Sequence, residues 1–236
     1  TPTASGAPEA LRALRVTAQR AGAQLTVQTQ PAEGLAALGV SNYRVDLHVR
    51  VPRNVPLTIR GQQGQTTVTG MAAPINITQL RGEVAVANSE GAVEISVQQE
   101  GSVSVRDSVG PLEVVGRYGN VSLARIAGKI LSDNTQGNTI IEGAQGEVIV
   151  RNSDGDVRVL ALDGVSGNHD IAVRQGNLRI LLPAEGNFSL RAATDNGAVN
   201  SARPLSGTIS GARRDFSTGA EDAAYTVLLN AVNGDI

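Results

Sequence analysis

Cysteine is absent from the chain, which excludes disulfides, thiol nucleophiles and thiolate metal sites. Its absence is compatible with an oxidising compartment. Tryptophan is missing too, and aromatic residues are 2% of the total: Tyr43, Tyr118, Phe188, Phe216 and Tyr225. A core with so little aromatic bulk has to be thin and filled by Val, Ile, Leu and Ala. The formal net charge of −2 supplies no basic field of the kind that holds nucleic acid phosphates. No apolar run reaches the roughly 18 residues that a spanning helix needs, so no membrane span is expected. Residues 1–8 (TPTASGAP) are small and polar and read as a flexible N-terminal segment, a linker or mature N-terminus.

What the chain has in quantity is glycine, 27 residues, and it is periodic. Glycines stand at 82, 91, 101, 110, 119, 128, 137, 146, 155 and 164, with eight of the nine intervals at nine residues and one at ten. Two positions after each glycine come Val84, Val93, Val103, Leu112, Val121, Ile130, Thr139, Val148 and Val157. Four positions after come Val86, Ile95, Val105, Val114, Leu123, Ser132, Ile141, Val150 and Val159. Alternation over five residues with a β-branched bias is a strand with one buried face. The turns (NSEG, QQEG, DSVG, NTQG, NSDG) are longer than the two-residue Asn-Gly or Asp-Gly loops of tight hairpins. The spacing therefore predicts an all-β chain, a single β-solenoid in which two units close a coil of about eighteen residues and equivalent residues stack about 4.8 Å apart.

Upstream, residues 57–69 and 75–78 read as earlier coils, led in by VPRNVP, so that the solenoid domain covers residues 51–236. Downstream of Gly164 the period loosens, and residues 225–230 read as one more strand. Solenoid ends expose strand edges that need covering. Residues 9–50 are the candidate N-terminal cap and lead-in, with either a helix over 9–14 or a hairpin of 14–19 with 24–29, the alternation of RVTAQ and LTVQT favouring the hairpin. Residues 206–224, polar and irregular, read as a loop folded over the other end.

These turns carry a resemblance. A VP lead-in, the turns Asn88-Ser89-Glu90-Gly91-Ala92-Val93, Asn134-Thr135-Gln136-Gly137 and Asn152-Ser153-Asp154-Gly155-Asp156-Val157, and the closing Asn233-Gly234-Asp235-Ile236 resemble the bacterial DUF4097 family of adhesin-type proteins, over about residues 45–236. The resemblance implies an extracytoplasmic cell-envelope protein, periplasmic or surface-associated, built as a β-solenoid. It supplies no catalytic residue and no cofactor.

Tests for chemistry return little. There is no G-x-S-x-G elbow, P-loop, HExxH or dinucleotide fingerprint. His48 and His169 are far apart in sequence and read as surface or hydrogen-bonded residues. The best ion candidate is a calcium-like turn, Asn152, Asp154 and Asp156, which lacks the later bidentate Glu of a calcium hand. A glycan-cleaving enzyme would need two carboxylates about 5–10 Å apart on one face. Glu83, Glu94, Glu113, Glu147 and Asp156 point outward, but they alternate with Ser, Asn and Arg. A groove with clustered carboxylates would favour such an enzyme.

One feature breaks the repeat. Leu131, Ile140 and Ile149 occupy the third position after glycine, where other units are polar or small. Leu131 and Ile149, one coil apart, would stack on the same outer face and need a cover. Ser132 at a normally apolar position argues for the alternative, a bulge that keeps Ile130 and Leu131 both inside. The expected function is a non-enzymatic envelope scaffold that binds envelope or surface proteins or mediates adhesion. The alternative is a polysaccharide-binding or polysaccharide-cleaving β-helix.

Overall fold

A computed structural model describes residues 2–5, 14–21, 24–31, 44–161, 164–183, 185–219 and 222–236. The chain divides into two compact units, Thr1–Val51 and Pro52–Ile236. The first holds β1 (Pro2–Ser5), β2 (Leu14–Ala21), β3 (Gln24–Pro31) and β4 (Arg44–Leu47). β2 and β3 form the expected antiparallel hairpin, and β1 pairs antiparallel with β4. Residues 2–5, read from composition as a linker, thus lie in a strand. The helix considered over 9–14 falls on residues that, apart from Leu14, are outside those described.

The second unit is a parallel β-solenoid of about 7 turns with about 18 residues per turn. It begins with β5 (Leu57–Thr69) and β6 (Ile75–Ser89), each long enough to bend round a corner and serve both sides of the coil. Thereafter the sides alternate. β7 (Val93–Glu100), β9 (Leu112–Tyr118), β11 (Ile130–Gln136), β13 (Val148–Asp154) and β15 (His169–Gln175) stack on one side; β8 (Val103–Val109), β10 (Val121–Ala127), β12 (Thr139–Gln145), β14 (Val157–Leu160) and β16 (Leu178–Leu181) stack on the other. The inward residues are those the repeat names. Val121, Leu123, Ile130, Ile141, Val148, Val150 and Val159 are each no more than 2% exposed. Ser132 is fully buried between Val114 and Val150. Leu131 points out on the same strand, so the bulge that would have kept Leu131 inside does not form.

The corners explain the glycines. A Cβ on Gly119 or Gly137 would run into the carbonyl of the glycine one coil earlier, Gly101 or Gly119; only bare backbone stacks this closely. A further bend is left-handed at Asn88, Asp107, Arg125 and Gly143, with φ of 54°, 54°, 53° and 62°. Three of these four are not glycine, so the bend carries strain of the kind that surrounding pairing must hold in place. Part of the hold is visible: Arg125 donates to both Asp107 oxygens at 2.5 and 2.9 Å. This contact holds the Asp107 carboxyl below its ordinary value.

After β16 the order of stacking departs from the order of the chain. β17 (Phe188–Asn196) leaves one coil position open, and the C-terminal β20 (Tyr225–Asn233) fills it, pairing in parallel with β15 on one edge and β17 on the other. Between them in sequence, β18 (Ser206–Ser210) and β19 (Arg213–Thr218) form an antiparallel hairpin that extends the sheet beyond β17. Residues 206–218 are therefore strands and not the loop expected from their polarity. The only β-branched residues there are Thr208, Ile209 and Thr218, so pattern alone is weak, and pairing to β17 decides the conformation.

His169 is a further correction. It takes the inward position between Val148 and Val227 and is 1% exposed. Among the described residues neither ring nitrogen has a partner, and burial pushes its pKa down. The unfolded chain takes up a proton as pH falls below about 6.5, the ordinary histidine value, while the folded chain resists doing so. Stability is then full above that pH and drops as pH falls toward the lowered folded value. Melting temperature measured between about pH 7.5 and pH 5 should fall further for the native chain than for His169→Leu. Parallel curves would show that the buried imidazole is not the cause. The core assignment has a more direct check: Val121→Asp and Val148→Asp each bury an unpaired charge and should cost about 4 kcal/mol or more. Near-native thermal stability in both would refute the inward placement.

Candidate interaction surface

Two backbone problems shape the outside of the coil. At each corner, the residue just before the strand gives its carbonyl to the coil, as Pro74 does to Leu57 N, Pro111 to Val93 N and Asn138 to Val121 N. Its own N–H needs another partner. At one corner a side chain from the previous coil supplies it. Asn138 N donates to Asn120 Oδ1 at 2.9 Å, Asp156 N to Asn138 Oδ1 at 2.9 Å, Asn177 N to Asp156 Oδ1 at 2.8 Å and Asp235 N to Asn177 Oδ1 at 3.1 Å. At the other corner Pro74 and Pro111 have no N–H to satisfy.

That proline corner is one wall of a groove of about 420 Å³ on the outside of the solenoid. Pro56, Pro74 and Pro111 line it with Lys129, and its other side is a column of outward residues from successive strands: Thr58, Asn76, Glu94, Glu113 and Leu131. The column continues directly to Ile149 and Asp170. Leu131 and Ile149 are register partners and both are partly exposed, so the structure brings together the apolar pair expected from the repeat. Ile140, 38% exposed, lies on the opposite side of the coil on β12, beside Ser122 and Arg158. Charge brackets the apolar pair. Lys129 pairs with Glu147 at 2.8 Å, and Arg151 donates to Asp170 at 2.5 and 3.1 Å.

The groove also corrects the expectation that the outward carboxylates are dispersed. Glu94 and Glu113 are register partners on adjacent strands and face the same groove. Glu94 Oε2 accepts from Asn76 Nδ2 at 2.7 Å. The prolines were the signal that sequence reasoning passed over: VPL, APIN and GPLE place proline directly before the first aliphatic of a strand in three of four stacked coils, with Ala92 in the other.

The calcium-like turn does not converge. Asn152 points into the core, 3% exposed, and its amide donates to the carbonyls of Gly137 at 3.1 Å and Gly155 at 2.8 Å. Asn134 does the same one coil earlier, to Gly119 and Gly137. Asp154 is exposed on the outer surface, and Asp156 accepts from Asn177 N at the corner. Among the described residues no three of His, Asp or Glu gather closely enough to hold a metal ion, and no helix is long and apolar enough to cross a membrane.

Residues 7–236 match the family described as Toastrack DUF4097. The chain belongs to that family. The match starts at residue 7, so it takes in the N-terminal unit that the turn motifs alone, beginning near residue 45, had left outside. No curated protein and no solved structure matches the chain.

In this Toastrack chain the asparagines of the repeat stabilise corners. Asn152→Ala strands the Gly155 carbonyl and leaves that of Gly137 with only the longer bond from Asn134, at 3.3 Å, and should cost about 1–3 kcal/mol. The loss, measured by chemical denaturation, should be the same in calcium and in chelator. A loss confined to calcium-containing buffer would make this turn an ion site after all.

Proposed function

We propose that this chain is a non-enzymatic scaffold of the bacterial cell envelope, outside the cytoplasm, whose solenoid presents one outer face to a partner protein. The observation that carries the reading is the continuity of the proline-lined groove with the Leu131–Ile149 pair. Outward positions on a solenoid are free of the fold's demands, so apolar side chains stacked there mark a surface that gains by being covered. Parallel strands in register fix these side chains on a rigid frame, which lowers the ordering cost of association. The envelope location draws on the family resemblance and on the absence of cysteine.

A second reading has its own observation, the Glu94–Glu113 pair in the same groove. Adjacent carboxylates on one face are what glycan hydrolysis uses. Against it stand the absence of any aromatic platform in the groove and the use of one Glu94 oxygen by Asn76.

The two readings separate by experiment. Immobilised chain should retain specific proteins from envelope extracts, and a Leu131→Lys/Ile149→Lys variant with an unchanged melting temperature should lose them. Equal capture by both sinks the scaffold reading for this face. Release of reducing ends from envelope polysaccharide by the native chain, abolished in Glu113→Gln, would establish the glycan reading instead.

A further inference from the structure

We propose that two copies of this chain associate edge to edge through β18, joining their sheets by an antiparallel pairing about a two-fold axis at Thr208. Among the described residues β18 is the last strand of the sheet and is hydrogen-bonded on one side only, to β19. All five of its residues, Ser206-Gly207-Thr208-Ile209-Ser210, are exposed, and Ile209 is 65% exposed. An open strand edge presents a row of unpaired backbone donors and acceptors, and proteins that must stay apart guard such edges with lysine, proline, bulges or inward charges. β18 has none of these: it carries no charge and no proline, and its register with β19 is unbroken over five residues.

The strand itself is uncharged. The arginines around it are committed within their own chain. Arg213 bridges Asp195 at 2.7 Å and Asp215 at 2.8 Å. Arg214 donates to the carbonyl of Gly197 at 2.5 Å and to that of Ala212 at 3.2 Å. Arg203 donates to the Pro183 carbonyl and lies over the Phe188 ring, 5.1 Å from its centroid. Carboxylates neutralise Arg213, while carbonyl acceptors hold the Arg203 and Arg214 guanidinium groups against their own chain.

The occupant follows from the sequence of the edge. Paired antiparallel with itself, SGTIS sets Ser206 opposite the partner's Ser210, Gly207 opposite the partner's Ile209, and Thr208 opposite the partner's Thr208. No like charges meet, Thr–Thr and Ser–Ser are favourable cross-strand pairs, and each exposed Ile209 finds space over a glycine. A two-fold contact of this kind uses the same patch on both copies and closes after two, so it ends in a dimer and not a fibre. It does not depend on what the proline-lined groove binds.

The test uses the full chain in sedimentation equilibrium or light scattering over a range of concentration. The native chain should show a monomer–dimer equilibrium. Thr208→Lys puts two like charges face to face on the axis and should raise the dissociation constant about tenfold or more, with no change in melting temperature because the site is exposed. The chain has no cysteine of its own, so Thr208→Cys under mild oxidation should give a disulfide-linked dimer, while Ser104→Cys on the flat outer side of β8 should not. A native chain that stays monomeric throughout, including one whose edge takes up an added peptide instead, overturns the proposal. So does a dimer indifferent to Thr208→Lys, or equal cross-linking at residue 104.

Discussion

The constraint on which the rest of this structure depends is the approach of glycine backbone to glycine backbone at the two corners of the coil. Down one corner run Gly82, Gly101, Gly119, Gly137, Gly155 and Gly176, with Gly234 next in space, and a Cβ on each would collide with the carbonyl of its predecessor. Down the other run Gly91, Gly110, Gly128, Gly146 and Gly167, the first packed on the backbone of Ala73, with the contact tight at Gly110 and closed to a Cβ at the rest. Strands can stack in register only if the corners stack as tightly as the strands do. Substituting any one glycine would push two coils apart, so the periodicity is a steric requirement and not a compositional habit.

The buried amides of the coil and Thr194 can be traced to those corners. Closing them leaves the glycine carbonyls turned toward the interior, where an unmet acceptor is costly. Asn134 and Asn152 answer this by each donating to two such carbonyls. Near the first coil Gln79 donates to the carbonyls of Gly64 and Arg81, and in the last coil Thr194 donates to that of Gly234. The opposite need, an N–H without a carbonyl, is met outside by the Asn120–Asn138–Asp156–Asn177–Asp235 series or avoided by proline. One sterically determined turn thus accounts for the asparagines, the aspartates and the prolines of the repeat.

That dependence sets what could be learned without coordinates. The glycine interval and the aliphatics two and four places on were enough for the solenoid and its coil length, because each is fixed within one or two coils, while the outward pair Leu131–Ile149 stayed open against a bulge. Ser132 misled toward a bulge, since its buried hydroxyl looks like an error until its neighbours Val114 and Val150 show the strand running straight through. His169 misled in the opposite direction: flanked by glycine, asparagine and aspartate, it looks like a loop residue, and only its alignment with Val148 and Val227 shows it to be core. β20 was visible as a strand, but its place between β15 and β17 was not. The contacts that decide it span |i−j| = 58, as between Asn168 and Thr226, and no local pattern carries information over that distance. The groove was hidden for the same reason, since it exists only where prolines and glutamates from successive coils are laid side by side.

This division between inside and outside also explains why the fold declares itself so much more strongly than the function. Inward positions and corners answer to packing and to backbone pairing, which repeat every coil and therefore repeat in the sequence. Outward positions answer to nothing periodic. Where an outward column does become coherent, as from Glu94 and Glu113 through Leu131 to Ile149, the coherence is not required by the coil and has to be accounted for by what lies outside it. The same holds for β18, an uncharged edge strand beside three arginines that each turn back onto their own chain. Neither feature recurs from coil to coil, so neither follows from the packing that repeats.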